Sequence, residues 1–307
     1  MQKSAPSVQR EPEGKGRKAC VLGLGAMGAR MAKNLAEKGF SLRVWNRTHR
    51  NVEELLRTVD SLDVRGAPTP RACVEGAEVV VTMVSDRAAL ENVLAGPDGA
   101  LQGMSPGAVL VDMSTIGRAA ALAMASAAVA VGARFIDAPV SGSIGPAARG
   151  ELVALVGARP EDLETARPVL TAMCGRIVHA GGVGQGAALK VILNAVGSFH
   201  LVAFTSMLVV GQRAGLSREA LVEAFTSGAF ASPSYVSKRP KVLARDYSPE
   251  FSLALTLKDA GLAMDLEGEV GLSIPAFAEI RRELEEAVLE GLGEEDLFAL
   301  EKHFLAR

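Results

Sequence analysis

A chain of 307 residues with 49% hydrophobic and 22% charged residues holds one large domain or two ordinary ones, with a core that needs no disulfide or metal. Its net charge of −2 gives no basis for a nucleic-acid or membrane partner. Cys20, Cys73 and Cys174 are far apart and odd in number, offer no zinc spacing, and fit a reducing, cytoplasmic setting.

Residues 1–17 are polar, with Pro, Gly and mixed charges. They lack the apolar run of a secretory signal and are expected to form a disordered tail. Lys18 to Leu22 reads as a first strand that ends at a glycine loop. A helix is expected from Met27 to Lys38, stopped by Gly39, and a second strand from Ser41 to Trp45. Helical periodicity returns at Asn51 to Arg57. Glu78 to Val84 is a nearly continuous apolar strand, the pattern of a parallel sheet covered on both faces. Arg87 to Leu94 reads as helix, Ala108 to Met113 as strand, Ile116 to Val131 as helix and Ala133 to Pro139 as strand. Strands at Leu152 to Gly157 and Arg176 to His179 then flank a helix at Glu161 to Met173. The alternation predicts an α/β fold with an N-terminal, Rossmann-type doubly wound sheet over residues 18–182.

An all-α domain is expected over 183–307. Gly186 to Arg213 reads as one helix of roughly 40 Å at 1.5 Å per residue. Further helices are expected at Arg218 to Thr226, Leu257 to Gly268, Ile274 to Glu290 and Glu294 to Leu305. Val191 to Val210 is apolar enough to prompt a membrane check. Asn194, Ser198, His200, Thr205 and Ser206 interrupt it, so a buried helix is the expectation.

The first motif is Gly23-Leu24-Gly25-Ala26-Met27-Gly28. Following a strand and opening a helix, it has the context in which such a loop binds a dinucleotide. Its first glycine makes the turn, its second admits the pyrophosphate, and its third lets helix and strand pack closely. The second strand ends in Asn46-Arg47-Thr48, where a carboxylate would read a ribose 2′-hydroxyl. Arg47 can instead pair with a 2′-phosphate, Thr48 can donate to it, and Arg50 can add charge. NADP is therefore expected in preference to NAD, with NAD use left open.

Two more motifs follow: Asp137-Ala138-Pro139-Val140-Ser141-Gly142-Ser143, and Gly184-Gln185-Gly186 leading to Lys190 and Asn194. The first ends a strand in small residues with free donors. In the second, Lys190 and Asn194 share a helix face and are costly in an apolar helix unless they meet a ligand. With Phe251, Leu255 and Lys258-Asp259 behind them, these motifs make the chain resemble the β-hydroxyacid dehydrogenases, over about residues 18 to 300. The resemblance implies a hydride transfer between a nicotinamide and a small 3-hydroxy acid or aldehyde acid. Lys190 would be the general acid/base, and Ser141, Gly142, Ser143 and Asn194 would bind the substrate. Asn46, Met83, Val84, Ser85, Thr115 and Lys258 would join the glycine loop, Arg47 and Thr48 around the cofactor. It also implies a homodimer or homotetramer through the helical domain. Ser143, Ser85 and Ala229 depart from the family's usual residues. An imine reductase, or a dinucleotide-binding module without catalysis, are the alternatives. The former usually has Asp or Tyr at the Lys190 position, and the latter has lost the lysine.

Overall fold

The computed structural model describes residues 14–59, 62–229 and 231–307. The chain divides by contacts into two units, residues 1–190 and 191–307. The division falls inside a long helix. Of the seventeen residues expected to form a tail, 1–13 lie outside the described residues. Gly14 to Gly16 form a turn, with Arg17 N donating to Gly14 O and Gly14 N to Lys38 O.

The first unit runs β1 (Lys18–Leu22), α1 (Gly28–Glu37), β2 (Ser41–Trp45), α2 (His49–Thr58), β3 (Val64–Gly66), α3 (Pro70–Val74), β4 (Val79–Thr82) and α4 (Arg87–Ala95). It continues with β5 (Val109–Asp112), α5 (Arg118–Ala130), β6 (Arg134–Asp137), β7 (Val140–Ser141), α6 (Ile144–Arg149), β8 (Leu152–Gly157), α7 (Pro160–Met173) and β9 (Cys174–Gly181). The sheet order is β3-β2-β1-β4-β5-β6-β8-β7, with β9 beside β8. The first six strands are parallel and β8 joins β6 antiparallel. This is the doubly wound order, whose ligand crevice opens at the carboxyl ends of β1 and β4. The apolar strands explain themselves. Ala19, Val21, Val79, Val81, Val109 and Val111 pack into one core, and Cys20, Leu22, Val80 and Leu110 into another on the opposite face. Period-two alternation between two apolar layers leaves polar residues of β4 and β5 only at the strand ends, at Thr82 and Asp112.

The second unit is helical. α8 (Gln185–Arg213) enters it from the first unit and is followed by α9 (Arg218–Ser227), α10 (Pro233–Ala244), α11 (Leu253–Val270), α12 (Pro275–Ala287) and α13 (Leu300–Leu305). Val191, Leu201, Phe204 and Leu208 of α8 pack with Leu253, Phe277, Leu284 and Phe298. The expectation of a buried α8 is corrected here. In its apolar window of mean hydropathy 1.7, only 33% is buried. One face meets the helical core. Ile192, Val196, Phe199, Met207 and Val210, at helical spacing on another face, stay exposed.

Four short elements escaped the sequence reading. β3 has three residues and one side chain of apolar type; α3, β7 and α6 are six residues or fewer. α10 was missed although it is longer. Pro240 lies inside it, and proline reads as a breaker. Its start was legible in Ser232, whose side chain accepts from Tyr235 N, with Pro233 in the first turn. The helix expected to run to Glu290 ends at Ala287, in a looser turn that Gly291 kinks at φ 91°. The last expected helix begins only at Leu300, after a 3-10 turn capped by Asp296.

Candidate functional site

The glycine loop joins β1 to α1. Gly23 has φ 103°, and a Cβ there would lie 2.2 Å from Met83 O. A Cβ at Gly28 would lie 2.0 Å from Gly23 O, so the helix can start this close to the strand only without one. Gly25 differs: nothing lies within 4 Å of its Cβ position. That open side is where a pyrophosphate would meet the backbone. Among the described residues, the amides of Gly25, Ala26 and Met27 have no acceptor. The loop therefore fits the diphosphate of a dinucleotide, with donors and clearance in the right place. Bound there, the dinucleotide would supply or accept a hydride.

At the end of β2, Asn46 works on the loop. Its Oδ1 accepts from Leu24 N at 2.8 Å, and its Nδ2 donates to Thr48 O at 3.0 Å. Asn51 Nδ2 donates to Leu24 O at 2.8 Å. Leu24 is thus clamped from both sides, and Asn46 positions the loop with the groups expected to serve the ligand. Arg47 and Thr48 are exposed just before α2, and Arg47 forms no ion pair among the described residues. Arg50 pairs with Glu54 at 2.7 Å, so its charge is partly committed. Met83 and Val84 are half-buried and Ser85 is exposed at the end of β4. Val84 N donates to Ser114 Oγ at 3.0 Å, tying the β4 loop to the β5 loop that carries Thr115.

A buried aspartate anchors the helix that bears Lys190. Asp137, the last residue of β6, is 1% exposed. Its Oδ1 accepts from Gly184 N and its Oδ2 from Ala187 N, both at 2.7 Å. These are orphan donors of the first turn of α8. The approach requires glycines. A Cβ at Gly186 would lie 2.3 Å from Leu155 O, and one at Gly157 would lie 2.5 Å from Asp137 Oδ1. Burial pushes the Asp137 carboxyl up to about 6, against the pull of the two amides. Asp112, opposite it in the strand register, is also pushed to about 6 by burial. Asp112 Oδ1 accepts from Thr82 Oγ1 at 2.7 Å, and its Oδ2 has no partner among the described residues.

Lys190 is half-buried on α8, and Asn194 follows one turn later, within the second unit. Asn194 Nδ2 donates to Asp259 Oδ2 at 2.5 Å, and Lys258 Nζ lies 3.1 Å from Asp259 Oδ1. Asp259 is 4% exposed. One carboxylate of α11 therefore holds the asparagine by a hydrogen bond and faces the lysine at ion-pair distance, both being residues that the resemblance singled out. Asn194 and Asp259 line a cavity of about 160 Å³ in this unit. In the first unit, Ser141 ends β7 half-buried, while Gly142, at φ 126°, and Ser143 are exposed. The Ser143 hydroxyl does not cap α6.

Asp137 and Asp259 were quoted within motifs but given no role by the sequence. The available signal was a carboxylate at the end of an apolar strand, which must find partners when buried. Glu283, Glu286 and His303 hold ligand atoms within 4.8 Å of one another. His303 nitrogens face Glu290 at 2.8 Å and Glu283 at 3.1 Å, and Arg307 pairs with Glu283 and Glu286, which makes the group a polar network at the surface of the helical unit around the buried His303.

A family model for the NAD-binding domain of 6-phosphogluconate dehydrogenase matches residues 18–182. A second, for the NAD-binding domain of NADP-dependent 3-hydroxyisobutyrate dehydrogenase, matches 184–304. The chain is 32% identical over 279 residues to glyoxylate/succinic semialdehyde reductase 1 of Arabidopsis thaliana, covering 91% of this chain and 95% of that protein. The crystal structure of 3-hydroxyisobutyrate dehydrogenase from Salmonella typhimurium superposes with TM-score 0.85 at 25% identity, over 93% of this chain and 99% of that one. Psf3 in complex with NADP+ and 2-OPP gives TM-score 0.83 at 26% identity, over 92% and 99%. Imine reductases from Pseudomonas sp. and Myxococcus stipitatus share the fold at TM-score 0.61 and 18–21% identity. With both halves matched in order and the glycine loop in its expected place, the chain belongs to the β-hydroxyacid dehydrogenase family of NAD(P)-dependent oxidoreductases.

Proposed function

We propose that this oxidoreductase interconverts a small 3-hydroxy acid and its aldehyde acid, with NADP as the preferred cofactor. The observation that carries the reading is α8. Its first turn is pinned by Asp137, it presents Lys190 a turn later, and Asn194 follows with its amide held by Asp259. In reduction, the Lys190 ammonium donates its proton to the substrate carbonyl oxygen as hydride reaches the carbon. In oxidation, the neutral amine takes that proton back. The positive charge also stabilises the developing alkoxide. Asn194 orients the substrate, and the Ser141 hydroxyl with the Gly142 and Ser143 turn takes its carboxylate. Arg47 supports NADP because no acidic residue stands at the end of β2 and no carboxylate neutralises its guanidinium among the described residues. A panel of aldehyde acids with NADPH and NADH tests the reading. It expects turnover and a higher kcat/KM with NADPH; preference for NADH contradicts the cofactor assignment.

The exposed stripe from Ile192 to Val210 supports a homodimer or homotetramer built through the helical unit, since so apolar a surface is costly in water. Three buried, free cysteines suit the cytoplasmic setting that belongs to the same proposal. Sedimentation of the wild type and of Val196→Glu tests the assembly, and a monomeric wild type contradicts it.

A further inference from the structure

The cavity beside Asn194 contains a polar group that the chain leaves unused. Tyr235, in the first turn of α10, lines it. Its ring is fixed among aromatics, 4.6 Å from Phe204 and 6.1 Å from Phe298 between centroids. Its hydroxyl is buried and has no hydrogen-bond partner among the described residues. Buried polar groups are nearly always paired, so an exception inside a cavity points to a guest. A volume of about 160 Å³ is the share of roughly five waters, enough for a few non-hydrogen atoms.

The walls restrict what that guest can be. No lysine, arginine or histidine is among the described residues lining the cavity, and Phe251, Leu297 and Leu201 make much of it apolar. Its one carboxylate, Asp259, accepts from Asn194 through Oδ2; its Oδ1 lies 3.1 Å from Lys258 Nζ and has no hydrogen-bond partner among the described residues. A second anion would face that carboxylate and meet no cation among the described lining residues. Burial pushes the Tyr235 phenol up, so the hydroxyl stays protonated and can both donate and accept.

We propose that Tyr235 determines specificity: its hydroxyl binds an uncharged oxygen, a hydroxyl or carbonyl, on the substrate portion that enters this cavity. The assignment rests on the reading of Asn194 as a substrate residue. It selects hydroxy acids with a second hydroxyl over isosteres with a methyl group, because the methyl leaves the phenol unpaired.

The test uses two pairs of acids with the purified full-length chain and NADP. 3-Hydroxyisobutyrate and glycerate exchange methyl for hydroxyl at carbon 2; 2-(hydroxymethyl)butanoate and 3-hydroxy-2-(hydroxymethyl)propanoate do so one carbon further along the branch. The wild type is expected to favour the dihydroxy member of at least one pair by about tenfold or more in kcat/KM. Tyr235→Phe keeps the ring in its aromatic cluster and should bring that ratio near one, with the methyl member changed less than about twofold. Equal ratios in wild type and variant for both pairs overturn the assignment while the functional reading stands. If no acid turns over, the same ratios are read from saturation of the NADP-loaded protein followed by its melting temperature. Neither turnover nor binding across the panel overturns the functional reading and the inference with it.

Discussion

Asp137→Asn separates the anchoring of α8 from global stability. The carboxylate accepts two amides at 2.7 Å. An asparagine keeps one acceptor and turns an NH2 toward the other donor. The neutral side chain leaves one of those buried donors without an acceptor, which costs about 1–3 kcal/mol. Against this, the buried wild-type carboxyl is raised from the ordinary 3.8 to about 6. Ionising it at pH 8 therefore costs about 3 kcal/mol that the amide avoids. The two effects oppose each other at similar size, so unfolding free energy should change by no more than about 2 kcal/mol. Turnover should respond differently. Lys190 is three residues beyond the amide of Ala187, and loosening that turn displaces its ammonium. A displacement near 1 Å costs up to about 100-fold in rate. The expected result at pH 8 is kcat lowered about 10- to 100-fold with NADPH affinity within about threefold. Wild-type kcat should also fall as pH drops through about 6, where Asp137 takes up its proton and releases an amide. The variant should lack that limb. A variant kcat within twofold of wild type, or NADPH affinity lost in step with kcat, would refute the anchoring role.

Asp112→Asn tests the second buried carboxyl. Because the folded form holds its proton up to about pH 6 and the unfolded chain only to about 3.8, wild-type stability falls as pH rises through that window. The variant should gain up to about 3 kcal/mol at pH 8, with no gain below pH 4; denaturant melts at both pH values check this. The Asp112 charge also raises Asp137, so the acid limb of kcat should move to lower pH in the same variant. Arg47→Ala should weaken NADPH about tenfold and leave NADH unchanged, read by titration of nicotinamide fluorescence; equal losses for both would remove the 2′-phosphate assignment. Glu301→Ala strands the buried Arg218, whose Nη2 donates to Glu301 Oε2 at 2.7 Å. It should cost about 3–5 kcal/mol in a denaturant melt, and a loss under 1 would contradict that pairing.

The sequence exposed what local rules control. Strands such as Val79–Thr82 were plain because two apolar layers demand uninterrupted apolar side chains. The glycine loop was plain because Gly23 and Gly28 admit no Cβ. α10 was hidden by Pro240, a residue the helix tolerates because its other face packs through Val242 and Tyr235. The site was half legible. Lys190 and Asn194 stand out as polar residues in an apolar helix, but their supports are distant in sequence. Asp137 lies 47 residues before Gly184, and Asp259 lies 65 after Asn194; no periodicity reports such partners. The absence of an acid beside Arg47 could be read from the sequence, whereas the commitment of Arg50 to Glu54 and of Asn46 to Leu24 needed the folded turn.

The central claim is that Lys190 exchanges the proton. Its most direct test is Lys190→Ala, assayed for NADPH-dependent reduction of the best aldehyde acid in the panel, with NADPH binding measured on the same protein. The account predicts turnover reduced to background while NADPH affinity remains within about threefold of wild type. A kcat near the wild-type value would contradict it.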